Sequence, residues 1–420
     1  MYLRYKRGGL VNMIYYDSLF DIQKVGDYYV LYFGNLHKAI KLNYKQLFLV
    51  KTILKSDGIL DEKIVAKNNL LSTETSNLID AFVQKKVFFH TQEELNKEKF
   101  ENKYIEFYDR KDLRVAYLHL TQRCNLNCYY CYNQKNLNNK KPELSTDEWK
   151  YVVKQLDMVG IQEIVLTGGE ATLRGDIKDI LDSIPKNVKV TLLTNGTMIN
   201  KIMSIIDYVD KIIISLDSLD DTLNELNRKL SKNFNVYSNI LNIPLSKRNK
   251  IYIRSVITKN NIDQLAYIKQ KLSLQKFNHI TCVYLPNSKS EISEFIPYPH
   301  DDSVSNLMEI KICGACKSEI AIDSNGDVYP CQMLLKKEFL ITNIKKDSWQ
   351  DDLKRSKVYA LFNQNVLKID ECKDCVYKFI CGNGCKALCK NLYGKINRKN
   401  YFMCDYFKEE ARSYIKGLFL

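Results

Sequence analysis

The sequence has no apolar run long enough to span a lipid bilayer, no internal repeat and no low-complexity block. Residues 1–13 lack the apolar core of a secretory signal, and the five histidines are not spaced as metal ligands. We therefore expect no membrane association, a cytoplasmic location and no histidine metal centre. Residues 6–9 (Lys-Arg-Gly-Gly) resemble a translated ribosome-binding site, so Met13 is the expected native start.

The 13 cysteines stand out in a chain of 420 residues, which is too long for a disulfide-stapled secreted scaffold. They indicate a reducing compartment and metal ligation. The apolar fraction of 45% is enough for two or three domains. The net charge of +14 would suit nucleic acid, a membrane surface or an acidic peptide. Because lysine recurs along the whole chain, charge alone does not choose among these partners.

Three regions differ in composition. Residues 13–95 contain no cysteine, residues 111–290 alternate strand-like and helix-like segments, and residues 310–410 are rich in cysteine. Residues 92–112 are charged and poor in small apolar residues, which predicts a linker. The sequence therefore predicts three domains with these bounds.

The middle region has the pattern of a βα repeat. A helix is predicted at 145–159, where Ser145 is the N-cap, Glu148 completes a capping box and Gly160 ends the helix. Apolar strands that alternate with amphipathic helices indicate a parallel sheet buried on both faces. The predicted strands are 114–120, 163–166, 188–193, 211–216, 251–257 and 279–285.

The loop after the first strand carries Cys124, Cys128 and Cys131 in the spacing C-x3-C-x2-C. Three thiolates at this spacing can hold three irons of a [4Fe–4S] cluster. A cubane ligated only by protein uses four cysteines, and no fourth cysteine lies in the loop. The spacing therefore suggests one iron that is open to another molecule. A zinc knuckle or buried free thiols are the alternatives.

This loop closely resembles that of the radical S-adenosylmethionine (SAM) enzymes. In that family the open iron takes the amino and carboxylate groups of SAM, and an aromatic residue precedes the last cysteine, as Tyr130 does here. The resemblance implies an α/β fold built on a partial (β/α)6 barrel. It also implies reductive cleavage of SAM to a 5′-deoxyadenosyl radical, which abstracts hydrogen from an unactivated carbon.

The stretch after the second strand extends the resemblance. Gly168 and Gly169 let a ligand come close to the backbone, and Glu170 can accept hydrogen bonds from an ammonium group. In the radical SAM family this stretch holds the methionine amino group of SAM. Ala171 stands where the family usually has proline.

The later strand ends supply further candidates. The resemblance implies that Asn195, Ser215 and Asp217 contact the ribose or carboxylate of SAM. Two arginines have two possible roles. Arg228 and Arg254 either bind the SAM carboxylate or are surface charges.

The C-terminal cysteines resemble the SPASM extension of radical SAM peptide and protein maturases. All seven cysteines of that pattern are present, and residues 326–331 reproduce its hairpin turn and proline. The resemblance implies two auxiliary [4Fe–4S] clusters with interleaved ligands. The implied ligands are Cys316, Cys331 and Cys385 for the nearer cluster, with Cys313 to complete it, and Cys372, Cys375, Cys381 and Cys404 for the outer cluster.

Some alternatives stay open in this region. A free Cys313 would leave an open iron for a substrate. Structural zinc is the alternative for the whole set, because sulfur ligands suit it too. Cys282 and Cys389 fall outside the pattern and are expected to be buried small apolar residues.

The N-terminal region has the outline of a small sheet followed by helices. The predicted strands are 28–33, 37–42 and 87–89, and the predicted helices are 44–54, 61–67 and 72–85. This outline resembles the winged-helix-like peptide-recognition domain at the front of many peptide-modifying radical SAM enzymes. Winged-helix DNA-binding domains and a plain structural cap are the alternatives.

Together the resemblances imply a maturase of ribosomally made precursor peptides. The front domain would bind a leader peptide as an added strand, and a flavodoxin or ferredoxin-type protein would supply electrons. Thioether formation is the favoured reaction, because two auxiliary clusters can accept an electron and bind a substrate thiolate. Other SPASM chemistry (a carbon–carbon crosslink, epimerisation or sulfatase formylglycine formation) is the alternative. A winged-helix redox-sensing regulator is the alternative of another class, although no nucleic-acid partner is expected.

Overall fold

A computed structural model describes residues 12–60, 64, 67, 72–109, 112–229, 235–296 and 313–419. The strands are β1 (Asn12–Met13), β2 (Tyr15–Tyr16), β3 (Phe20–Val25), β4 (Tyr28–Phe33), β5 (Lys38–Leu42), β6 (Ile59–Leu60), β7 (Phe88–Phe89), β8 (Val115–Thr121), β9 (Glu163–Gly168), β10 (Lys189–Thr194), β11 (Lys211–Ser215), β12 (Ile251–Ile257), β13 (Asn278–Val283), β14 (Glu319–Ile322), β15 (Asp327–Tyr329) and β16 (Thr342–Asn343).

The α-helices of the same residues cover all three regions. They are α1 (Tyr44–Lys55), α2 (Ser72–Gln84), α3 (Gln92–Glu98), α4 (Glu101–Asp109), α5 (Thr146–Met158), α6 (Ile177–Leu181), α7 (Ile199–Ile205), α8 (Asp221–Arg228), α9 (Val236–Leu241), α10 (Leu265–Leu274), α11 (Trp349–Arg355), α12 (Lys357–Phe362), α13 (Asp370–Lys373), α14 (Lys378–Cys381), α15 (Lys386–Tyr393) and α16 (Tyr401–Gly417). In the described part of the chain, none of them combines the length and apolar character that a bilayer crossing requires.

The middle region forms the predicted partial barrel. Strands β8 to β13 are parallel and lie side by side in chain order, so all six predicted strands are confirmed. The carboxyl ends of parallel strands meet at one edge, and in barrels of this kind that edge carries the active site. The predicted site residues follow these strand ends.

The sheet continues from the barrel into the cysteine-rich region. Strand β14 pairs in parallel with β8, and the hairpin of β14, β15 and β16 follows in antiparallel pairing. Gly326 makes the predicted hairpin turn with φ of +89°, a conformation that glycine adopts without a steric cost. This pairing fixes the C-terminal region directly beside the cluster-bearing strand.

Helix α5 lies where its capping box and terminal glycine predicted it. The Ser145 side chain accepts a hydrogen bond from the Glu148 N–H, and the Glu148 side chain accepts one from the Ser145 backbone. Gly160 follows the helix with φ of +76°. The predicted inner face is confirmed as buried and consists of Trp149, Val152, Val153 and Leu156.

The linker predicted at 92–112 is wrong, because residues 92–109 form helices α3 and α4. Tyr104 and Tyr108 on α4 are fully buried and pack in an apolar cluster with Val366, Ile369 and Phe379 of the cysteine-rich region. The segment is charged overall, but Tyr104 and Tyr108 are four residues apart, and this spacing places both rings on one helix face.

The N-terminal region agrees with most of its predicted elements. Strands β4 and β5 and helices α1 and α2 are confirmed, and β3, β4 and β5 form an antiparallel sheet in that order. The closing strand predicted at 87–89 is present as β7, but it pairs with β2 instead of the sheet. The helix predicted at 61–67 lies outside the described residues except for 64 and 67.

The N-terminal sheet packs against the segment that joins two predicted outer-cluster ligands. One sheet face shares an apolar cluster with α14 and α16. The Tyr377 hydroxyl donates to Asp21 at 2.5 Å, and the Lys378 ammonium donates to the Asn35 side chain at 2.6 Å. Both donors lie between Cys375 and Cys381, so the sheet supports the outer-cluster segment directly.

Gly34 lies against the Val376 backbone in this contact, and we expect Gly34→Ala to destabilise it. A Cβ there would lie 2.5 Å from the Val376 carbonyl oxygen and 2.9 Å from its Cα. Backbone atoms cannot yield as a flexible side chain can, so we expect a loss of about 1–3 kcal/mol in the free energy of unfolding, measured by thermal denaturation. Gly175→Ala is the matched control, because its Cβ meets nothing within 4 Å. Equal melting temperatures for both variants would contradict this packing.

Candidate active site

The cluster loop and the strand ends enclose a cavity of about 400 Å³ at the carboxyl edge of the barrel. All three loop cysteines line it. So do six of the seven predicted SAM contacts, namely Tyr130, Gly168, Gly169, Glu170, Asn195 and Ser215. Residues from the loop and from the ends of β9, β10 and β11 therefore meet in one place. The seventh predicted contact, Asp217, is not part of the cavity lining.

The three loop thiols are partly buried in this wall. Burial raises the pKa of Cys124 to about 11 and that of Cys131 to about 12, and it also raises the pKa of Cys128. Each thiol must lose its proton to bind iron, so metal binding releases protons here. Three thiols on one side of a cavity that has further room fit a cluster with an open corner and a bound ligand.

The glycine pair allows strand β9 to meet the base of the cluster loop. A Cβ on Gly168 would lie 2.3 Å from the Thr121 carbonyl oxygen, and one on Gly169 would lie 2.2 Å from the Arg123 carbonyl oxygen. The Gly169 N–H donates to Thr121 at 2.7 Å, and the Glu170 N–H donates to Arg123 at 2.8 Å. The glycine backbone, which was predicted to let a ligand come close, therefore also holds the base of the cluster loop through these two hydrogen bonds.

Glu170 is a buried carboxylate that other residues hold in place. One oxygen accepts from the Thr172 hydroxyl at 2.5 Å and the Thr194 hydroxyl at 2.8 Å, and the other accepts from the Asn195 N–H at 2.7 Å. Burial raises the pKa of Glu170, while these hydrogen bonds lower it. A carboxylate offers about four acceptor positions, so the second oxygen retains capacity for an ammonium donor from the cavity.

Asn195 connects the third strand end to the cluster loop. Its amide donates to the Asn125 side chain at 2.8 Å, and its carbonyl oxygen accepts from the Thr197 hydroxyl at 2.7 Å. Ser215 ends β11 on the same cavity wall. Asn125, which lies between two cluster-loop cysteines, was not predicted to have a role.

Asp217 lies behind the cavity wall and accepts hydrogen bonds from three residues that line it. The Arg228 guanidinium donates to both of its oxygens, at 3.1 and 3.0 Å, and the Val256 N–H donates at 3.0 Å. The Tyr130 hydroxyl also donates to this carboxylate. Asp217 is fully buried and Arg228 is 4% exposed. Asp217 is therefore placed as a support for Tyr130 and Arg228, and Arg228 is not a surface charge.

Several cavity residues were missed or misjudged from the sequence. Arg254 lines the cavity, which removes the surface-charge alternative for it. Cys282, expected to be buried, is only partly buried and lies on the wall, because it pairs in register with the inward-facing Val256. Gln332 and Met333 reach the same cavity from the hairpin region. The register of β13 against β12 is the signal that could have placed Cys282 on the cavity wall.

The cysteines predicted for the nearer auxiliary cluster form one group that includes Cys313. Burial is the main cause of the raised pKa of Cys316, Cys331 and Cys385, and the charge of Cys313 raises each further. Coupling of the same kind links Cys389 to Cys313 and Cys385, so it indicates one neighbourhood of thiols and does not select the ligands among them. The four predicted thiols would suit a cluster ligated entirely by protein.

The cysteines predicted for the outer cluster form a second group. Burial and then the charges of Cys375 and Cys404 raise the pKa of Cys372 to about 12, and the same neighbours act on Cys381. These four residues line a cavity of about 360 Å³. Cys389 is fully buried, as expected, and its thiol faces the Arg398 carbonyl oxygen. Among the described residues, no group of three or more His, Cys, Asp or Glu side chains is arranged so that it could hold a metal ion.

Two regions of the chain match known families. Residues 118–243 match the radical SAM superfamily, and residues 313–376 match the SPASM iron–sulfur cluster-binding domain. The chain is 30% identical over 333 residues to the antilisterial bacteriocin subtilosin biosynthesis protein AlbA of Bacillus subtilis (strain 168), across 70% of this chain and 71% of that protein.

Solved structures share the fold. Native anSMEcpe with bound AdoMet and Cp18Cys peptide has a TM-score of 0.58 at 17% identity, covering 73% of this chain and 98% of that one. Streptococcus suis SuiB bound to precursor peptide SuiA has a TM-score of 0.55 at 17% identity, covering 93% of this chain and 99% of that one.

The fold, the cavity and the two matched regions together decide the family and the kind of protein. The cofactors are SAM, the [4Fe–4S] cluster that binds it, and auxiliary iron–sulfur clusters. The protein is an enzyme, which decides against the redox-sensing regulator. The chain belongs to the radical SAM superfamily and carries a SPASM domain.

Proposed function

We propose that this enzyme installs a thioether crosslink in a ribosomally made precursor peptide. The observation that carries the proposal is the shared cavity. Six of the predicted SAM contacts and the two residues that directly follow Cys331 line the same space. A peptide in that space would lie between the SAM site and the nearer auxiliary thiols. The 30% identity to AlbA, a bacteriocin biosynthesis protein, supports a peptide substrate.

The residues of the cavity would bind and orient SAM. When bound, the cluster and SAM supply a radical that abstracts hydrogen from carbon. We assign Glu170 to the amino group and Arg254 to the carboxylate of SAM, because both charges face the cavity. Tyr130 is held by Asp217 and would contact SAM from within the cluster loop. Leu126, Leu193 and Val283 line the same space and would exclude water from the reacting carbon.

The auxiliary sites favour a reaction that ends in oxidation of the peptide. Forming a carbon–sulfur bond removes one hydrogen from the carbon and one from the thiol, so an electron acceptor is needed once ring closure has begun. The electrostatic coupling of Cys313 with Cys316, Cys331 and Cys385 supports a fully ligated nearer cluster. Such a cluster would accept the electron instead of binding the substrate thiolate.

The N-terminal residues 13–95 would dock the leader peptide. Within the described residues, β3 and β5 are the two edges of their sheet, and an edge strand can pair with an extended peptide. Both edges carry lysines, including Lys24 and Lys41, which would favour an acidic leader. We also propose a flavodoxin or ferredoxin-type electron donor.

The test uses the full-length holoenzyme under anaerobic conditions, with SAM, dithionite and a cysteine-bearing precursor encoded beside its gene. We expect 5′-deoxyadenosine and a peptide that has lost two hydrogens per crosslink, with a cysteine that resists alkylation by iodoacetamide. The same mass loss with an alkylatable cysteine would instead indicate a carbon–carbon crosslink. An unchanged mass with deuterium uptake from D2O would indicate epimerisation. Either of these outcomes would overturn the thioether proposal, as would the absence of both products.

A further inference from the structure

One residue closes the loop that carries the first three cysteines. The Asn138 N–H donates to the Gln122 carbonyl oxygen at 2.7 Å, and Cys124, Cys128 and Cys131 all lie between these two positions. Asn138 has φ of +53°, a left-handed conformation that asparagine tolerates better than most residues with a side chain. The residue therefore combines an uncommon backbone conformation with a contact to the start of the loop.

The side chain of Asn138 also binds the backbone of Cys124. Its carbonyl oxygen accepts from the Cys124 N–H at 3.0 Å. Its amide group donates more weakly to the Cys124 carbonyl oxygen, at 3.5 Å. One side chain thus holds the peptide groups on both sides of the first cysteine, and a residue without an acceptor could not make the shorter of the two bonds.

The middle of the loop is held by a different element. The Asn127 N–H donates to the Arg228 carbonyl oxygen at 3.4 Å, and the Tyr129 N–H donates to the Asn227 carbonyl oxygen at 3.3 Å. Both acceptors lie at the C-terminal end of α8. These bonds do not involve the first cysteine, so a change at its own contact would leave this part of the loop in place.

The Cys124 sulfur accepts a hydrogen bond that depends on how this backbone is oriented. The donor is the Leu126 N–H, at 3.5 Å from the sulfur. Because donor and acceptor are two residues apart, the backbone angles at Cys124 and the orientation of its side chain set their distance. Hydrogen bonds to the sulfurs help to set the reduction potential of an iron–sulfur cluster. Such a donor stabilises the more negative, reduced cluster more than the oxidised one, and so raises the potential.

We propose that Asn138 is a positioning residue for the cluster that binds SAM. It fixes the Cys124 backbone, so that the Cys124 sulfur stays in place as a ligand and keeps its hydrogen bond from the Leu126 N–H. Asn138 is exposed and is not among the residues that line the cavity, so it acts through the cysteine and not on SAM. The inference rests on the cluster loop of the proposed function and not on the type of crosslink.

The test follows the part of the EPR spectrum that changes when SAM is added to the reconstituted full-length enzyme. No peptide is present, so failure of the thioether proposal does not affect the result. We expect Asn138→Ala to lose this signal to an iron chelator about fivefold faster, as the loss of one hydrogen bond predicts. We also expect the equilibrium constant for reduction of this cluster to fall roughly threefold, which for one electron is a midpoint about 30 mV more negative.

Asn139→Ala is the matched control. Asn139 is also exposed, but its side chain bonds to the backbone of Asn136 and Lys141 and not to Cys124. We expect this variant to keep the wild-type chelation rate and midpoint. The same changes in Asn139→Ala as in Asn138→Ala, or no change in Asn138→Ala, would overturn the proposal.

Two further variants separate the side chain from the backbone conformation. Asn138→Gly adopts the left-handed conformation freely but lacks the acceptor, so it should lose the cluster as fast as Asn138→Ala. Asn138→Asp retains an acceptor for the Cys124 N–H and should lose iron at the wild-type rate. A glycine variant that behaves as the wild type would assign the effect to backbone strain and overturn the proposal. If Asn138→Ala takes up no cluster at all, uptake by Asn138→Asp supports the proposal, and failure of all three variants overturns it.

Discussion

Replacing Asp217 with asparagine is expected to lower the free energy of unfolding of the barrel by about 3–5 kcal/mol, because it leaves the Arg228 guanidinium buried without its counter-charge. The carboxylate is fully buried and accepts hydrogen bonds from Arg228, Val256 and Tyr130. An asparagine side chain would instead place its NH₂ group, which is itself a donor, against these donors.

The two tryptophans make this effect measurable. Trp149 and Trp349 both lie in the core cluster that includes the barrel strands, so intrinsic fluorescence during urea denaturation reports on that core. Asp207→Asn is the matched control, because Asp207 pairs with Lys247 at the exposed surface, and such pairs contribute little. We expect no measurable shift there.

A double variant tests the cause of the loss. If the unpaired guanidinium is responsible, Asp217→Asn combined with Arg228→Met should regain much of the lost stability. A loss in Asp217→Asn no larger than in Asp207→Asn would contradict the buried ion pair. The same variant should also bind SAM more weakly, since Tyr130 and Arg228 would lose their shared support.

The sequence predicted the parts of the fold that local signals determine. The helix at α5 has a capping box, a buried face and a terminal glycine, which all act within a few residues. The barrel strands are apolar runs between such helices, so their order follows from the βα pattern. The helices at 92–109 were missed because their apolar face depends on aromatic residues that become buried only against the C-terminal region.

The candidate site was predictable where a motif places a residue at a strand end. Gly168, Gly169 and Glu170 are of this kind, and the structure brings them to the cluster loop. The role of Asp217 was not predictable, because its partners Arg228 and Val256 come from later elements of the fold. Which side of a strand faces the cavity is likewise set by register, as Cys282 shows.

Cys128→Ala is expected to abolish cleavage of SAM and to remove about four irons per chain, one cubane. Cys128 lines the cavity with the other two loop thiols, and two thiolates cannot hold a cluster that keeps its open iron for SAM. The measurements are iron content after anaerobic reconstitution and 5′-deoxyadenosine by chromatography. We expect the product to fall to the level found without enzyme.

Two further cysteine variants make the result specific. Cys404→Ala should also cost about four irons, because Cys404 lies in the outer group, yet it should retain SAM cleavage. Cys389→Ala should retain both the iron and the cleavage, because this buried thiol faces a backbone carbonyl oxygen. Equal loss of cleavage in the Cys128 and Cys404 variants would mean that the two clusters are not separate in function. Retained cleavage in Cys128→Ala would refute the assignment of the loop as the SAM-binding site.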